Sequence, residues 1–263
     1  MVGSDLLDRT LVAVAENVRW VLLAEETPER EGFLQAVTPA VKLLGVFALV
    51  CLTVTRRDVA SVATLLVLAA ALAAVSRVPT RAFLGRVAGP PAVAAIVVAP
   101  QAFLMDGPTL ATLPLSVAGL EYVLLFTLRV AACVGFLSVL LLTTRFDALL
   151  AAFRHLHVPA IAVSLLAITY RYLLVFFAEL ERMVRARRGR TVTDPDLGRT
   201  WRDSGNFLGT FLLRSLERGE GVQRAARARG GPGPPPLRTR APLGSADAAF
   251  CSVVAITVVG VLL

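Results

Sequence analysis

Two short arginine motifs are the residues of this chain best suited to chemistry, and both lie in one basic stretch. Arg185-Ala186-Arg187-Arg188-Gly189 and Arg227-Ala228-Arg229-Gly230 each end a segment with helical periodicity. A guanidinium is planar, permanently charged and carries five donors. Held at a rigid helix tip, it suits bidentate capture of a carboxylate or of backbone carbonyls in a partner groove. The chemistry that these motifs indicate is docking.

Each motif continues an apolar stripe of the segment before it. In the segment after Asp203 the three-and-four spacing joins Phe207, Phe211, Leu212, Ser215, Gly219, Val222 and Ala226, and Arg229 follows three positions later. In the earlier segment the stripe joins Phe177, Leu180 and Val184, with Arg187 and Arg188 three and four positions on. An arginine that only complements a helix dipole gains about 0.3 to 1 kcal/mol. Because two segments of one chain end in the same way, we favour a role of these arginines in docking over a role in helix-dipole compensation alone.

The charge of the chain is concentrated around these motifs. Residues 182–240 contain 14 Arg and 5 acidic residues, a net of +9, whereas the remainder has 13 Lys or Arg against 14 acidic residues, a net of −1. Basic segments of membrane proteins stay on the cytoplasmic side. The motifs are therefore expected to face the cytoplasm.

Composition places the chain among multi-pass helical membrane proteins. It has 263 residues, of which 56% are hydrophobic, and a mean hydropathy of +0.70. Soluble domains of this size have fewer apolar and more charged residues. The cysteines Cys51, Cys133 and Cys251 stand singly in apolar segments, which predicts neither a disulfide framework nor a thiolate metal site.

Five segments approach the roughly 20 apolar residues that a spanning helix needs. They are residues 38–55, 58–76, 88–105, 116–142 and 246–263. A sixth apolar run, 158–178, is long enough to cross, but crossing would put Arg145 and Arg154 on the opposite face from the arginines after 182. We therefore expect five spans, an inside N-terminus, and a stretch from 145 to 229 in or under the inner leaflet. Whether 158–178 spans stays open at this stage.

These observations divide the chain into five parts. We expect a cytoplasmic N-terminal extension at 1–37, four transmembrane helices in 38–144, a module of partly submerged amphipathic helices at 145–230, a Pro/Gly linker at 231–245, and a last transmembrane helix at 246–263. Within the third part, helices are predicted at 146–157, stopped by Pro159, at 160–188, and at 203–229, with a loop over 191–202.

Two charged residues in the fourth span, Glu121 and Arg129, need partners or water. Eight positions apart on a helix, they are separated by about 12 Å of rise, so a direct pair is not expected. Glu121 can snorkel to the outer surface, and Arg129 is the candidate for a buried structural contact or a subunit interface.

Catalytic and metal-binding signals are missing from the sequence. His155 and His157 are two apart and point to different faces of a helix, so they cannot share a metal. The chain has no phosphate-binding loop and no nucleophile with a placed base, which predicts a non-catalytic subunit without a metal or cofactor of its own.

Several runs resemble a known family. The two Ala-Arg-Gly-like endings, Thr169-Tyr170-Arg171-Tyr172-Leu173, Glu179-Leu180-Glu181-Arg182-Met183 and the run from Leu213 to Glu220 are similar to the T component of energy-coupling factor importers, most of all to its cobalt-type CbiQ branch. The resemblance is specific from about Arg145 to Gly230. Over the N-terminal spans it is one of hydropathy and length.

The resemblance implies a five-span subunit that transmits force from two ABC-type ATPase subunits to a separate substrate-binding membrane subunit. ATP would bind to the ATPases and not to this chain. The docking residues would be Ala228, Arg229 and Gly230 at one site. At the other they would be Ala186 and Gly189 with either Arg187 or Arg188, because the extra arginine leaves two choices.

The family implies cobalt ion as cargo, with nickel or a vitamin as the alternative. A different class of function, anionic lipid or nucleic acid bound by the basic stretch of a membrane-anchored protein, would need only clustered charge. Ordered apolar stripes and interleaved glutamates disfavour it. The expected partners are therefore the two ATPases, the substrate-binding subunit and the bilayer of the cell membrane, and no nucleic acid.

Overall fold

The computed structural model describes residues 32–105, 116–156, 158–188, 197–230 and 244–262. All regular structure in these ranges is helical, and the expected all-α fold is confirmed. The helices are α1 (Phe33–Ala36), α2 (Pro39–Thr55), α3 (Val59–Val75), α4 (Thr80–Val98), α5 (Gln101–Leu104), α6 (Val117–Thr143), α7 (Phe146–His155), α8 (Ala160–Arg188), α9 (Leu197–Ala228) and α10 (Ser245–Leu262).

The helices form two compact units. The bundle unit contains α1 to α7 and α10, and the paired-helix unit contains α8 and α9. The long helix α6 is the centre of the bundle unit and packs against α2, α3, α4 and α5. Its buried side chains, among them Phe136 and Val139, meet Leu49 of α2, Leu65 of α3 and Phe250 of α10 in one core.

Small residues let these helices approach closely. A Cβ added to Gly135 of α6 would lie 3.2 Å from the Cβ of Ala69 in α3. One added to Gly45 of α2 would lie 2.4 Å from Cε1 of Phe250 in α10. Backbone approaches of this kind are typical of helix pairs in membranes.

Within the described ranges, three helical segments are long and apolar enough to cross a membrane, judged by length and composition: Thr80–Leu104, Val117–Thr143 and Ala160–Ala186. Pro39–Thr55, Val59–Val75 and Ser245–Val261 are shorter apolar helices. The two short helices α2 and α3 are about 25 Å long, whereas α6 is about 40 Å long. Length alone thus leaves the sixth apolar run, now α8, as a candidate span.

Two helices, α4 and α9, begin several residues earlier than the sequence predicts. The third apolar segment was expected to begin at residue 88, but α4 begins at Thr80 and continues through Pro90 and Pro91. The loop predicted over 191–202 is wrong from residue 197 onward, because α9 begins at Leu197. Leu197 and Trp201 have helical spacing. That spacing extends the helix past Gly198. The other four predicted spans differ from α2, α3, α6 and α10 by at most one residue at either end.

Candidate docking site

The first arginine motif lies at the end of α8. Arg187 and Arg188 are the last two residues of the helix, and Gly189 lies outside the described residues. Ala186 is exposed. Arg185, also exposed, pairs with Glu181 one turn earlier, with 3.6 Å between Nη2 and Oε1. Arg185 is thus engaged along its own helix, and the docking choice between Arg187 and Arg188 stays open.

The second motif forms the turn that ends α9. The helix ends at Ala228, the Arg229 N–H donates to the carbonyl of Ala226 at 3.1 Å, and the Gly230 N–H donates to that of Arg227 at 3.1 Å. Gly230 has a φ of +91°, a conformation that glycine adopts without a steric penalty. Ala228, Arg229 and Gly230 are all exposed. The glycine therefore closes the helix and leaves the arginine at its tip in solvent.

The apolar stripe of α9 reaches this tip. Phe207, Phe211, Ser215, Val222 and Ala226 are each half-buried, as their common face predicts, whereas Leu212 and Gly219 are exposed. On α8 the corresponding stripe includes Val184, which is buried. Neighbouring leucines on α9 point outward. Leu208, Leu212, Leu213 and Leu216 are between 52% and 62% exposed.

Helices α8 and α9 contact each other well before their tips. The ring of Phe176 meets that of Phe211 edge to face, with centroids 6.2 Å apart and an interplanar angle of 80°. Beside this contact, Glu179 Oε1 accepts from Arg214 Nη1 at 3.0 Å. The other carboxylate oxygen of Glu179 accepts from Arg182 at 2.6 Å. From this contact each helix continues toward its arginine motif, by about 15 Å on α8 and about 25 Å on α9.

A shallow groove of about 380 Å³ lies over the contact. Its lining residues are Val175, Phe176, Glu179, Arg214, Ser215, Glu217 and Arg218. The Glu179–Arg214 pair was not foreseen from the sequence, because its members are 35 positions apart and no local spacing links them.

Arg129 is fixed in the bundle unit, away from Glu121. Its Nη2 donates to the carbonyl of Arg56 at 2.5 Å, and Arg56 is the residue after the last turn of α2. Helix C-termini carry unsatisfied carbonyls and partial negative charge, so a guanidinium there stabilises the helix end. Glu121 is exposed in the second turn of α6. The structure therefore gives Arg129 an intramolecular contact that joins α6 to α2.

A buried polar cluster joins the start of α2 to the end of α6 and the start of α10. Lys42 is 1% exposed, and its Nζ donates to the Thr143 carbonyl at 3.1 Å and to Thr144 Oγ1 at 3.0 Å. Asp247 accepts from Thr38 N–H at 2.7 Å, from Thr38 Oγ1 at 2.8 Å and from Gly244 N–H at 2.9 Å. Sequence reasoning missed this cluster, although Lys42 is the only lysine in the chain and lies in an apolar segment.

The described residues include no group of three or more His, Cys, Asp or Glu side chains that could hold a metal ion. His155 is the last residue of α7, and His157 lies outside the described residues.

Comparison with known proteins finds a matching family and archaeal relatives. The profile of the CbiQ cobalt transport protein family matches residues 31–240. The uncharacterized protein MJ1571 of Methanocaldococcus jannaschii is 24% identical over 240 residues, which cover 87% of this chain and 81% of that protein. The uncharacterized protein MJ1089 of the same organism is 31% identical over 108 residues, or 41% of this chain and 40% of that protein.

Proposed function

This chain belongs to the CbiQ family of cobalt transport proteins, and from that premise we propose that it is the coupling subunit, the T component, of an energy-coupling factor importer. It docks two ABC-type ATPase subunits, which bind the ATP, and passes their motion to a separate substrate-binding membrane subunit. The cargo is cobalt ion. The observation that carries the proposal is the exposed Arg229 at the tip of α9, repeated in sequence at the end of α8.

The contact between α8 and α9 supports a lever mechanism. The two helices are joined at the Phe176–Phe211 rings and at the Glu179–Arg214 pair, while the arginine motifs lie beyond that contact. A displacement of one docked tip therefore acts on the other helix through the contact. A rotation about this contact would move the two arginine motifs relative to each other.

The polar cluster of the bundle unit supports a five-span topology. Lys42 contacts Thr143 and Thr144, where the chain leaves α6, and Thr38 contacts Asp247, where the chain enters α10. The chain therefore leaves α6 and enters α10 at the same end of the bundle. If α8 crossed the membrane, α9 would have to cross back, and α9 is not a candidate span because charged residues recur along its length. We infer that α8 does not cross, despite its length, and that both helices lie at the cytoplasmic face.

The apolar surface of the two helices fits this location. Ile161 and Leu165 of α8 are 73% and 59% exposed, and the four outward leucines of α9 are exposed to a similar extent. Partly submerged helices bury such faces in the headgroup region or against a membrane partner. We assign these faces to the bilayer and to the substrate-binding subunit.

Co-purification tests the docking assignment. The variant Arg187→Ala/Arg188→Ala/Arg229→Ala should insert normally but lose both ATPase subunits, because buried interface arginines commonly contribute about 2 kcal/mol or more each. The control Arg202→Ala/Arg218→Ala/Arg224→Ala removes the same charge from exposed positions along α9 and should keep both ATPases. Retention of the ATPases by the first variant at wild-type yield would refute the docking role.

Uptake by the assembled transporter tests the cargo. Cells that express the chain with the subunits that co-purify with it should accumulate radiolabelled cobalt above cells with the docking variant. If the cells accumulated nickel or a vitamin and not cobalt, the proposed coupling role would stand and the proposed cargo would be wrong.

A further inference from the structure

A furrow runs along α2 beside α10 and ends at two arginines. It has a volume of about 760 Å³ and is lined by Ala48, Cys51, Leu52, Thr55, Arg56, Arg57 and Val258. Toward the start of α2 the furrow stops where Gly45 packs directly on Phe250. From Ala48 to Thr55 its wall extends about 10 Å along the helix axis. The furrow is therefore apolar along its length and cationic at one end.

The two arginines at that end have no carboxylate partner among the described residues. The adjacent Asp58 caps α3 instead, since its Oδ2 accepts from the N–H of Ser61 at 2.9 Å and from the Ser61 hydroxyl at 3.1 Å. The carbonyl of Arg56 is held by Arg129, which fixes the backbone at the mouth of the furrow. Both arginines line the same furrow, and their guanidiniums have donors available for an anion.

The depth of these arginines restricts the kind of anion. Arg56 meets α6 at Arg129, which is about 21 Å of helical rise from Thr143 at the other end of the bundle. An apolar layer is about 30 Å thick. In the proposed topology, with Thr143 at one membrane surface, the backbone of this turn therefore lies at or just below the headgroup level of the other, where an unpaired cation is costly. An anion that resides in the membrane satisfies this requirement, whereas a solute anion would have to be desolvated.

We propose that the furrow binds one anionic phospholipid, with its phosphate between Arg56 and Arg57 and an acyl chain along Ala48, Leu52 and Val258. A guanidinium can donate two parallel hydrogen bonds to the oxygens of one phosphate. The apolar wall that leads away from them matches the long axis of an amphiphile. A carboxylate of a membrane partner would contact the arginines and not the apolar wall, so a substitution in that wall distinguishes the two ligands.

Native mass spectrometry of the purified full chain in detergent tests the site. The wild type should retain phosphatidylglycerol about tenfold more tightly than phosphatidylcholine, because each membrane-proximal cation favours an anionic headgroup. Arg56→Gln/Arg57→Gln should abolish that preference, and it leaves intact the Arg56 carbonyl that Arg129 needs. The control Arg81→Gln/Arg86→Gln removes one exposed and one half-buried arginine from α4 and should keep the preference.

A second variant separates a lipid from a free anion. Ala48→Trp fills the apolar part of the furrow and leaves both arginines, so it should also abolish retention of phosphatidylglycerol. Glycerol 3-phosphate should compete poorly with the lipid for the wild-type chain. The proposal is overturned if a folded arginine-pair variant keeps its preference, if Ala48→Trp binds the lipid normally, or if glycerol 3-phosphate displaces the lipid at equal concentration. Thermal unfolding checks the fold, and the exposed single variant Arg57→Gln replaces the pair if the pair unfolds.

Discussion

Glu179 of α8 and Arg214 of α9 form an ion pair across 35 positions of sequence, with 3.0 Å between Oε1 and Nη1. The same carboxylate accepts from Arg182 on its own helix, so Glu179 holds two guanidiniums at once. It lies beside the edge-to-face contact of Phe176 and Phe211. These side chains fix where the two arginine-ended helices meet. The proposed transfer of motion from one helix to the other depends on this contact.

Loss of the Glu179–Arg214 pair should impair transport more than folding. Both side chains are partly exposed, so Glu179→Gln should lower the free energy of unfolding by only about 0.2 to 1 kcal/mol. The loss of transport should be larger than this small loss of stability implies, because α8 and α9 lose an ion pair that holds them together. A cycle of Glu179→Gln, Arg214→Gln and the double variant, assayed by cobalt uptake, should show strong non-additivity. The control Glu181→Gln removes an ion pair made within α8 and should have the smaller effect on uptake.

Removal of the buried lysine should destabilise the bundle unit. In Lys42→Ala the Thr143 carbonyl and the Thr144 hydroxyl lose their buried donor, which should cost about 3 kcal/mol. The expected result is a clear fall in the temperature of unfolding of the detergent-purified chain. Thr55→Ala on the exposed side of α2 should change stability by less than about 0.5 kcal/mol. Equal effects of the two substitutions would contradict the role given to Lys42.

The contact of α2 with α10 should be sensitive to one methyl group. Gly45→Ala places a Cβ 2.4 Å from the Phe250 ring, and we expect a loss of about 1 to 3 kcal/mol from overpacking. Gly209 of α9 has no atom within 4 Å of an added Cβ, so Gly209→Ala should stabilise its helix by about 0.5 to 1 kcal/mol. Unfolding measurements on the two variants should therefore change in opposite directions.

The five-span topology predicts opposite accessibility for two engineered thiols. In a chain with Cys51, Cys133 and Cys251 replaced by alanine, a cysteine at Met105, the exposed residue after α5, should react with a membrane-impermeant maleimide added to intact cells. A cysteine at Arg218 should react only after the cells are opened, because α9 lies on the cytoplasmic side. Reaction of both sites in intact cells would rule out the proposed topology.

The helices were largely predictable because apolar length is a strong signal. The boundaries of α2, α3 and α6, and the start of α10, follow from runs of apolar residues that are bounded by polar ones. The start of α4 does not follow from such a run, because Arg81 and Arg86 lower the local hydropathy without ending the helix. Helix α9 began earlier than expected, because Gly198 signals a turn by local preference and was overruled by the helical spacing around it.

The contacts between distant segments were less predictable. The exposed Arg229 and the glycine after it follow from local helix-ending rules, so sequence alone could place them at a tip. The pairs Glu179–Arg214 and Thr38–Asp247 join residues 35 and 209 positions apart, and no periodicity within one helix encodes such a distance. Lys42 was an exception that could have been found, because a lone lysine in an apolar helix requires a partner.

Photo-crosslinking from the tip of α9 in the assembled transporter tests most directly whether this tip docks on an ATPase subunit. A photoreactive amino acid at position 229 should crosslink to an ATPase subunit, and the same group at Arg202, near the other end of α9, should not. If Arg229 docks, the crosslink from position 229 depends on the presence of the ATPases and joins this chain to one of them. Crosslinks from position 229 to lipid or to other proteins alone, with the ATPases present, would contradict it.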